Sequence, residues 1–256
     1  MKAVDIFESL ASATWQRICL GKAYKISQGE ETITDLNLLE LARANCPEIN
    51  IIKTPKNKEP DIGTDWEWWI GNDPLGWLRY AVQAKKIDPK STRYDALRHQ
   101  VRGTPQIDIL EKYARENDII PLYCFYNYLE DSSLERYWHC NLSYKVNQLG
   151  CTVTPSKNVR TALAQWGTKN FSFIHISDNT KPWRCLVHCP SMLQVYQTGS
   201  VSDTSWGFEN VIVYPSLPLE LVAARETGSL KEFSPDFYSR DIKAYPRRIL
   251  IANYGE

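Results

Sequence analysis

Two neighbouring stretches set chemistry-bearing side chains into otherwise apolar sequence. In Asp65–Ile70 (DWEWWI), strict alternation sends Asp65, Glu67 and Trp69 to one face and Trp66, Trp68 and Ile70 to the other. Gly71-Asn72-Asp73-Pro74-Leu75-Gly76 is a turn, and Trp77–Lys86 (WLRYAVQAKK) is the partner strand, with Trp77, Arg79, Ala81, Gln83 and Lys85 on one face. Polar groups in such apolar strands must be paired or do chemistry, because burying them alone is unfavourable. The carboxylates of Asp65 and Glu67 can hold a hard divalent cation, Mg²⁺ or Mn²⁺, and the Gln83 amide oxygen can add a neutral ligand. The Lys85 ammonium can orient or help deprotonate a water, or stabilise charge building on a phosphate. Glu31 or Asp35, four residues apart on one helix face, could close the site from the other side. Each residue also has an ordinary role: Asp65 capping a strand, Gln83 satisfying a nearby backbone group, Lys85 snorkelling from a strand end.

The elements that must position these groups follow from periodicity. Residues 4–20 carry apolar side chains three to four apart and form an amphipathic helix. Ser27 and Glu30 have capping-box spacing and open a second helix that ends before Pro47. Glu48–Thr54 is a β-branched strand, followed by a loop rich in Lys, Pro and Gly, then by the two strands above. Tyr94–Gly103 and Gln106–Asn117 read as helices. Ile119–Tyr126 is a nearly continuous apolar run, the pattern of a strand buried on both faces and reached by a helical crossover. Beyond it, Leu149–Val153, Phe171–Ile176, Trp183–Cys189, Asn210–Tyr214 and Arg248–Tyr254 read as strands. Val159–Trp166 and Pro218–Arg225 read as helices, the latter stopped by Gly228. The expectation is an α/β protein of one domain, 1–256, with a core over about 25–130 and a C-terminal α+β extension over about 131–256.

Composition bounds the function. With 256 residues, 43% of them hydrophobic, the chain has material for a sizeable core, which excludes a disordered protein. No apolar run is long enough for a membrane span. Asp5 and Glu8 break what would have to be a signal peptide's apolar core, so the cytosol is the expected compartment and the seven cysteines the expected reduced thiols. Cys140, Cys151, Cys185 and Cys189, with His139 and His188, lack zinc-site spacing, so zinc is set aside. Lys+Arg and Asp+Glu are both 30, a balance that speaks against a tail-driven nucleic-acid binder. Locally the balance fails: residues 79–102 are net +5, and Lys86, Lys90, Arg93, Arg98 and Arg102 are candidate phosphate contacts beside the proposed site. Lys53, Lys56 and Lys58 add to that patch.

Helix with an acid, strand, strand with Asp65, strand with Gln83-Ala84-Lys85, helix, buried strand: this order resembles the core of the PD-(D/E)XK nuclease superfamily. The variant is the one with Gln before X-Lys, seen in Mrr-like restriction nucleases and in nuclease modules of bacterial anti-phage systems. The TDWEWWIG and QAKK blocks also look like those of a bacterial family of uncharacterised proteins. The resemblance implies a restriction-endonuclease-like mixed sheet flanked by helices and Mg²⁺-dependent phosphodiester hydrolysis. Carried over, Asp65 is the metal-binding acid, Gln83 the second metal-site residue, Lys85 the catalytic lysine and Glu31 the helix-borne acid. Asp61, in the literal Pro60-Asp61, and Glu67 are rivals for the first role. Asp65 is preferred because it opens the strand whose partner carries Gln83 and Lys85. The implied partner is nucleic acid, DNA before RNA, and the resemblance admits a second copy of the chain or a defence-system component as a protein partner.

Overall fold

A computed structural model describes residues 1–53, 63–166, 169–198, 206–209, 211–227, 246 and 248–255. Helix α1 (Ala3–Ala23) buries Ile6, Phe7, Leu10, Ala11, Thr14 and Ile18, the three-to-four spacing of one helix face. Helix α2 (Glu30–Arg43) starts two residues later than the Ser27 cap predicts. Gly29 is its N-cap and makes no side-chain cap bond. The Glu30 carboxylate turns to a strand instead of back to its own helix end, which is why no capping box forms.

Strands β1 (Ile49–Lys53), β2 (Trp66–Asn72) and β3 (Gly76–Lys86) follow. The β2–β3 hairpin is antiparallel with Glu67 opposite Ala81 and Trp69 opposite Arg79, so the expected faces are realised. Its turn needs glycine at position 76: φ is +85°, and a Cβ there would lie 2.6 Å from Val213 Cγ1 and 2.8 Å from the Tyr214 carbonyl oxygen.

The stretch expected as a helix over 94–103 is a 3₁₀ turn at Asp95–Arg98 followed by a two-residue-strand hairpin, β4 (Gln100–Val101) and β5 (Thr104–Pro105). Tyr94 and Leu97 are buried three apart, enough for one turn, and positive φ at Arg102 and Gly103 then reverses the chain. Helix α3 (Gln106–Glu116) makes the crossover to β6 (Ile120–Tyr126), which runs parallel to β3 with Gln83 beside Tyr123 and Lys85 beside Phe125. Next come β7 (Cys151–Pro155), α4 (Ser156–Trp166), α5 (Phe171–His175), β8 (Lys181–Pro182), α6 (Pro190–Thr198), α7 (Leu219–Thr227) and β9 (Arg248–Asn253).

Three expected strands differ. Phe171–Ile176 is helical, because Phe171, Ile174 and His175 are buried at helical spacing. Trp183–Leu186 is a 3₁₀ turn with every residue buried, so burial leaves no period to read. Of Asn210–Tyr214, Tyr214 makes only an isolated bridge to Trp77, and Asn210 lies outside the described residues, as does Gly228.

The seven-stranded sheet has the order β1-β9-β2-β3-β6-β7-β8, mixed in direction and covered by helices on both faces, an α/β architecture. Strand β9 inserts between β1, to which it is antiparallel, and β2, to which it is parallel. The C-terminal part is therefore not an appendage: its last strand completes the sheet that holds Asp65. One core lies between the sheet and α1, α2 and α6. The other face packs on α3, α4 and α5, with a smaller cluster under α7.

Candidate functional site

The site forms where the start of β2, the end of β3 and the first turn of α2 meet. Asp65 precedes β2, and its backbone N–H bonds the Val82 carbonyl, which fixes the residue against β3. Its Oδ2 accepts two bonds, from Gln83 Nε2 at 2.6 Å and from the Ala84 N–H at 2.7 Å. Gln83 is 1% exposed, and its other amide atom, Oε1, is buried without a hydrogen-bond partner. Next along β3, Lys85 is buried and its Nζ lies 3.4 Å from Glu30 Oε1. Glu30 Oε2 accepts the Lys86 backbone N–H at 3.3 Å. Tyr123, opposite Gln83 on β6, also has a buried hydroxyl without a partner.

The electrostatics of the two carboxylates agree. Burial pushes Asp65 above the ordinary carboxylate range, and Glu31 adds to the rise, while the Ala84 N–H, Lys85 and Arg248 oppose it. Burial likewise pushes Glu30 up, with Lys85 opposing and Asp65 adding. Desolvated acids, each raised further by a neighbouring carboxylate and beside an unsatisfied carbonyl oxygen, are what a hard cation with oxygen ligands relieves. In the arrangement described, the Gln83 amide nitrogen, not its oxygen, faces Asp65. Without a cation, N–H donation to a carboxylate is the favourable choice. Turning the amide by half a rotation presents Oε1 to the same point.

The other sequence candidates fall into distinct places. Glu67 shares the Asp65 face but is committed elsewhere. It is 0% exposed and forked to Arg79, Nε to Oε1 at 2.8 Å and Nη2 to Oε2 at 2.9 Å. Trp69 Nε1 and the Tyr113 hydroxyl also donate to it. With every oxygen taken, Glu67 has no lone pair to spare for a metal, which corrects the expectation that it is a ligand. Glu31 acts on Asp65 through space, whereas Lys85 is met by Glu30. Helix phase explains the difference: Glu30 lies in the row Glu30, Ile33, Thr34, Asn37, Leu41 that faces the core. Asp35 is ion-paired with Arg248 at the start of β9, a residue the sequence did not single out. Asp61, Lys56 and Lys58 lie outside the described residues. Of the basic stretch, Lys86 and Lys90 line one cavity, while Arg93, Arg98 and Arg102 are exposed and off the cavity wall.

Cys140, Cys185 and Cys189 are joined by side-chain hydrogen bonds, and those bonds hold the Cys189 thiol well below its ordinary range. All seven cysteines are free thiols. Among the described residues, no three His, Cys, Asp or Glu side chains are grouped to hold a metal ion. No described helix is long and apolar enough to cross a membrane.

No curated protein and no solved structure matches this chain. One family model does, over residues 3–255, nearly the whole of it. The match runs from α1 to the end of β9, so the two parts that the sheet joins are also one unit of sequence, and the chain belongs to the family of unknown function DUF6615.

Proposed function

We propose that this protein is a metal-dependent nuclease that hydrolyses phosphodiester bonds, with DNA as the favoured substrate and bacterial anti-phage defence as its setting. The supporting observation is that Asp65, Gln83 and Lys85, picked from sequence as a D…QxK set, meet at one end of one hairpin, with Asp65 and Gln83 2.6 Å apart and a helix-borne acid on Lys85. Asp65 and the Gln83 carbonyl oxygen would hold Mg²⁺ or Mn²⁺, with Glu30 or Glu31 reaching it through water. Such an ion would supply Lewis-acid stabilisation of the phosphoryl oxygens and a more acidic water. Lys85 orients the attacking water and stabilises the charge that builds on the phosphate as the P–O bond to the leaving sugar oxygen breaks. Glu30 keeps the Lys85 ammonium aimed along the strand end.

A second reading has its own observation. The Gln83 amide nitrogen already satisfies Asp65, and one carboxylate fewer than a Glu-X-Lys site weakens the hold on a cation. On that reading the chain is an inactive nuclease fold that binds nucleic acid or a protein partner. Incubation of plasmid DNA, linear duplex and RNA with the protein in Mg²⁺ or Mn²⁺ separates the two. The nuclease reading expects cleavage that chelation, Lys85→Ala and Asp65→Ala each abolish. Cleavage that survives in both variants, or none with any substrate and metal, removes it.

A further inference from the structure

Beside the candidate site lies a cavity of about 190 Å³ that the D…QxK reading does not use. Its walls are the last two turns of α1, the α1–α2 loop and the segment leaving β3. Five cations line it, Arg17, Lys22, Lys25, Lys86 and Lys90, against one acid, Asp88. Three of the cations have side-chain partners: Lys22 is paired with Glu130, Arg17 donates to Asn37 and Lys86 donates to Ser27. Asp88 is turned to its own loop, where its oxygens accept the Lys90 and Ser91 N–H groups. Lys86 is the telling residue. It is half-buried, and burial lowers its pKa. Its Nζ donates to the Ser27 hydroxyl at 3.3 Å rather than to a carboxylate. A desolvated ammonium in a basic cavity is stabilised by an anion, and the one acid that opposes this shift, Asp88, leaves a wall with four cations in excess.

The backbone points the same way. Lys25 holds a left-handed conformation, φ +59°, where glycine is the unstrained choice. The bond from Ile26 N–H to the Gly21 carbonyl closes that cap and fixes the loop as the cavity's rim. On the same loop Tyr24 is 73% exposed, an aromatic ring next to a cluster of cations, the pairing that single strands use for stacking and backbone contact.

We propose that this cavity binds a backbone phosphate of a nucleic-acid strand, one that neighbours the phosphate presented to Lys85. The inference rests on the nuclease reading for its partner but not for its geometry. The two places adjoin through Lys86: Glu30 touches Lys85 with one oxygen and the N–H of the cavity-lining Lys86 with the other. Consecutive residues of β3 point to opposite faces, so Lys85 serves the site and Lys86 the cavity. A strand crossing this edge of the sheet meets both.

The test is fluorescence anisotropy of labelled single-stranded and duplex DNA with the full chain in EDTA, where no cleavage step enters. Lys25→Glu with Lys90→Glu is compared with the same charge change on α3, Lys112→Glu with Arg115→Glu, each variant checked for native circular dichroism. The cavity pair is expected to weaken binding about tenfold or more and to lower the slope of log K against log salt by about 1, for the one phosphate the cavity holds, while the α3 pair leaves that slope alone. Equal losses in both pairs mean diffuse attraction and overturn the proposal, as does wild-type protein that binds no DNA. Titration with inorganic phosphate at constant ionic strength separates the other source of this chemistry. Phosphate binding lost in the cavity pair while DNA binding holds means a small-anion site and also overturns the proposal. If cleavage is absent but the salt slope behaves as stated, the nuclease reading fails and the cavity stands. If cleavage is present but the slope is unchanged, the cavity fails and the nuclease reading stands.

Discussion

The β2–β3 hairpin carries two polar clusters on one face, and they are finished to different degrees. Around Glu67 every bond is closed: Arg79 forks onto the carboxylate, Trp69 and Tyr113 donate to it, and the guanidinium lies 5.3 Å from the Trp69 ring centre. Burial works against the Arg79 charge, yet Glu67 outweighs it and holds the guanidinium above its ordinary pKa. A few residues along the same strands, Asp65 and Glu30 are pushed up by burial and Gln83 Oε1 has no partner. A buried ion pair whose hydrogen bonds are all made is a structural brace. One that leaves a desolvated acceptor open has room for a ligand. Openness alone is not enough, since Trp66 and Trp68 also leave indole N–H groups without a partner on the opposite face. Those rings pack edge to face at 4.8 Å in an aromatic core, where a weak N–H···π contact suffices and no charge is involved.

The contrast breaks most sharply in catalysis. Lys85→Ala is expected to lower metal-dependent cleavage by about 10²- to 10⁴-fold with the fold retained, measured by initial rates on plasmid DNA and by urea unfolding. Glu67→Ala belongs to the other class. It strands the buried Arg79 charge and is expected to cost about 3–5 kcal/mol in urea unfolding, because one partner of a closed pair has been removed. A Glu67→Ala protein of wild-type stability that has lost metal-dependent cleavage would reverse the two assignments.

Gln83→Glu probes the open cluster from the side of affinity. A third desolvated carboxylate is expected to lower stability at neutral pH without metal and to tighten Mg²⁺ binding about tenfold, read by calorimetry and by a larger metal-induced rise in Tm. The smallest effect is in pH. Asp65 has a folded-state pKa above its unfolded value, so its contribution to stability is full below the ordinary carboxylate range and is lost as pH rises through the raised value. Asp65→Asn removes that loss. The variant is expected to equal or exceed wild type in urea midpoint at pH 7 and to give up the advantage on acidification below about pH 4. A variant less stable than wild type at pH 7 and equal at pH 4 shows that Asp65 is a satisfied structural acid like Glu67.

Much of the positioning machinery was legible in the chain. The alternation through DWEWWI and WLRYAVQAKK placed Asp65, Gln83 and Lys85 on one side of a hairpin, and the apolar run of Ile119–Tyr126 marked the parallel strand beside it, because period and burial are local properties of sequence. Which acid meets Lys85 was also readable, though the expectation named Glu31. The core row through Ile33, Thr34, Asn37 and Leu41 includes Glu30.

Other features depend on contacts that no local pattern encodes. Nothing in Arg248–Asn253 says that it inserts between β1 and β2 rather than at an edge, or that Arg248 would reach Asp35 and the field around Asp65. Trp183–Leu186 reads as a strand because uniform burial over four residues erases the period, and Phe171–His175 because its helical row spans little more than one turn. Sequence alone determined the hairpin, its faces and the residue types offered for chemistry. Only the tertiary structure decided which carboxylate is a closed brace and which is an open site, because that depends on partners 12 to 55 residues away, and desolvation acts through space and not along the chain.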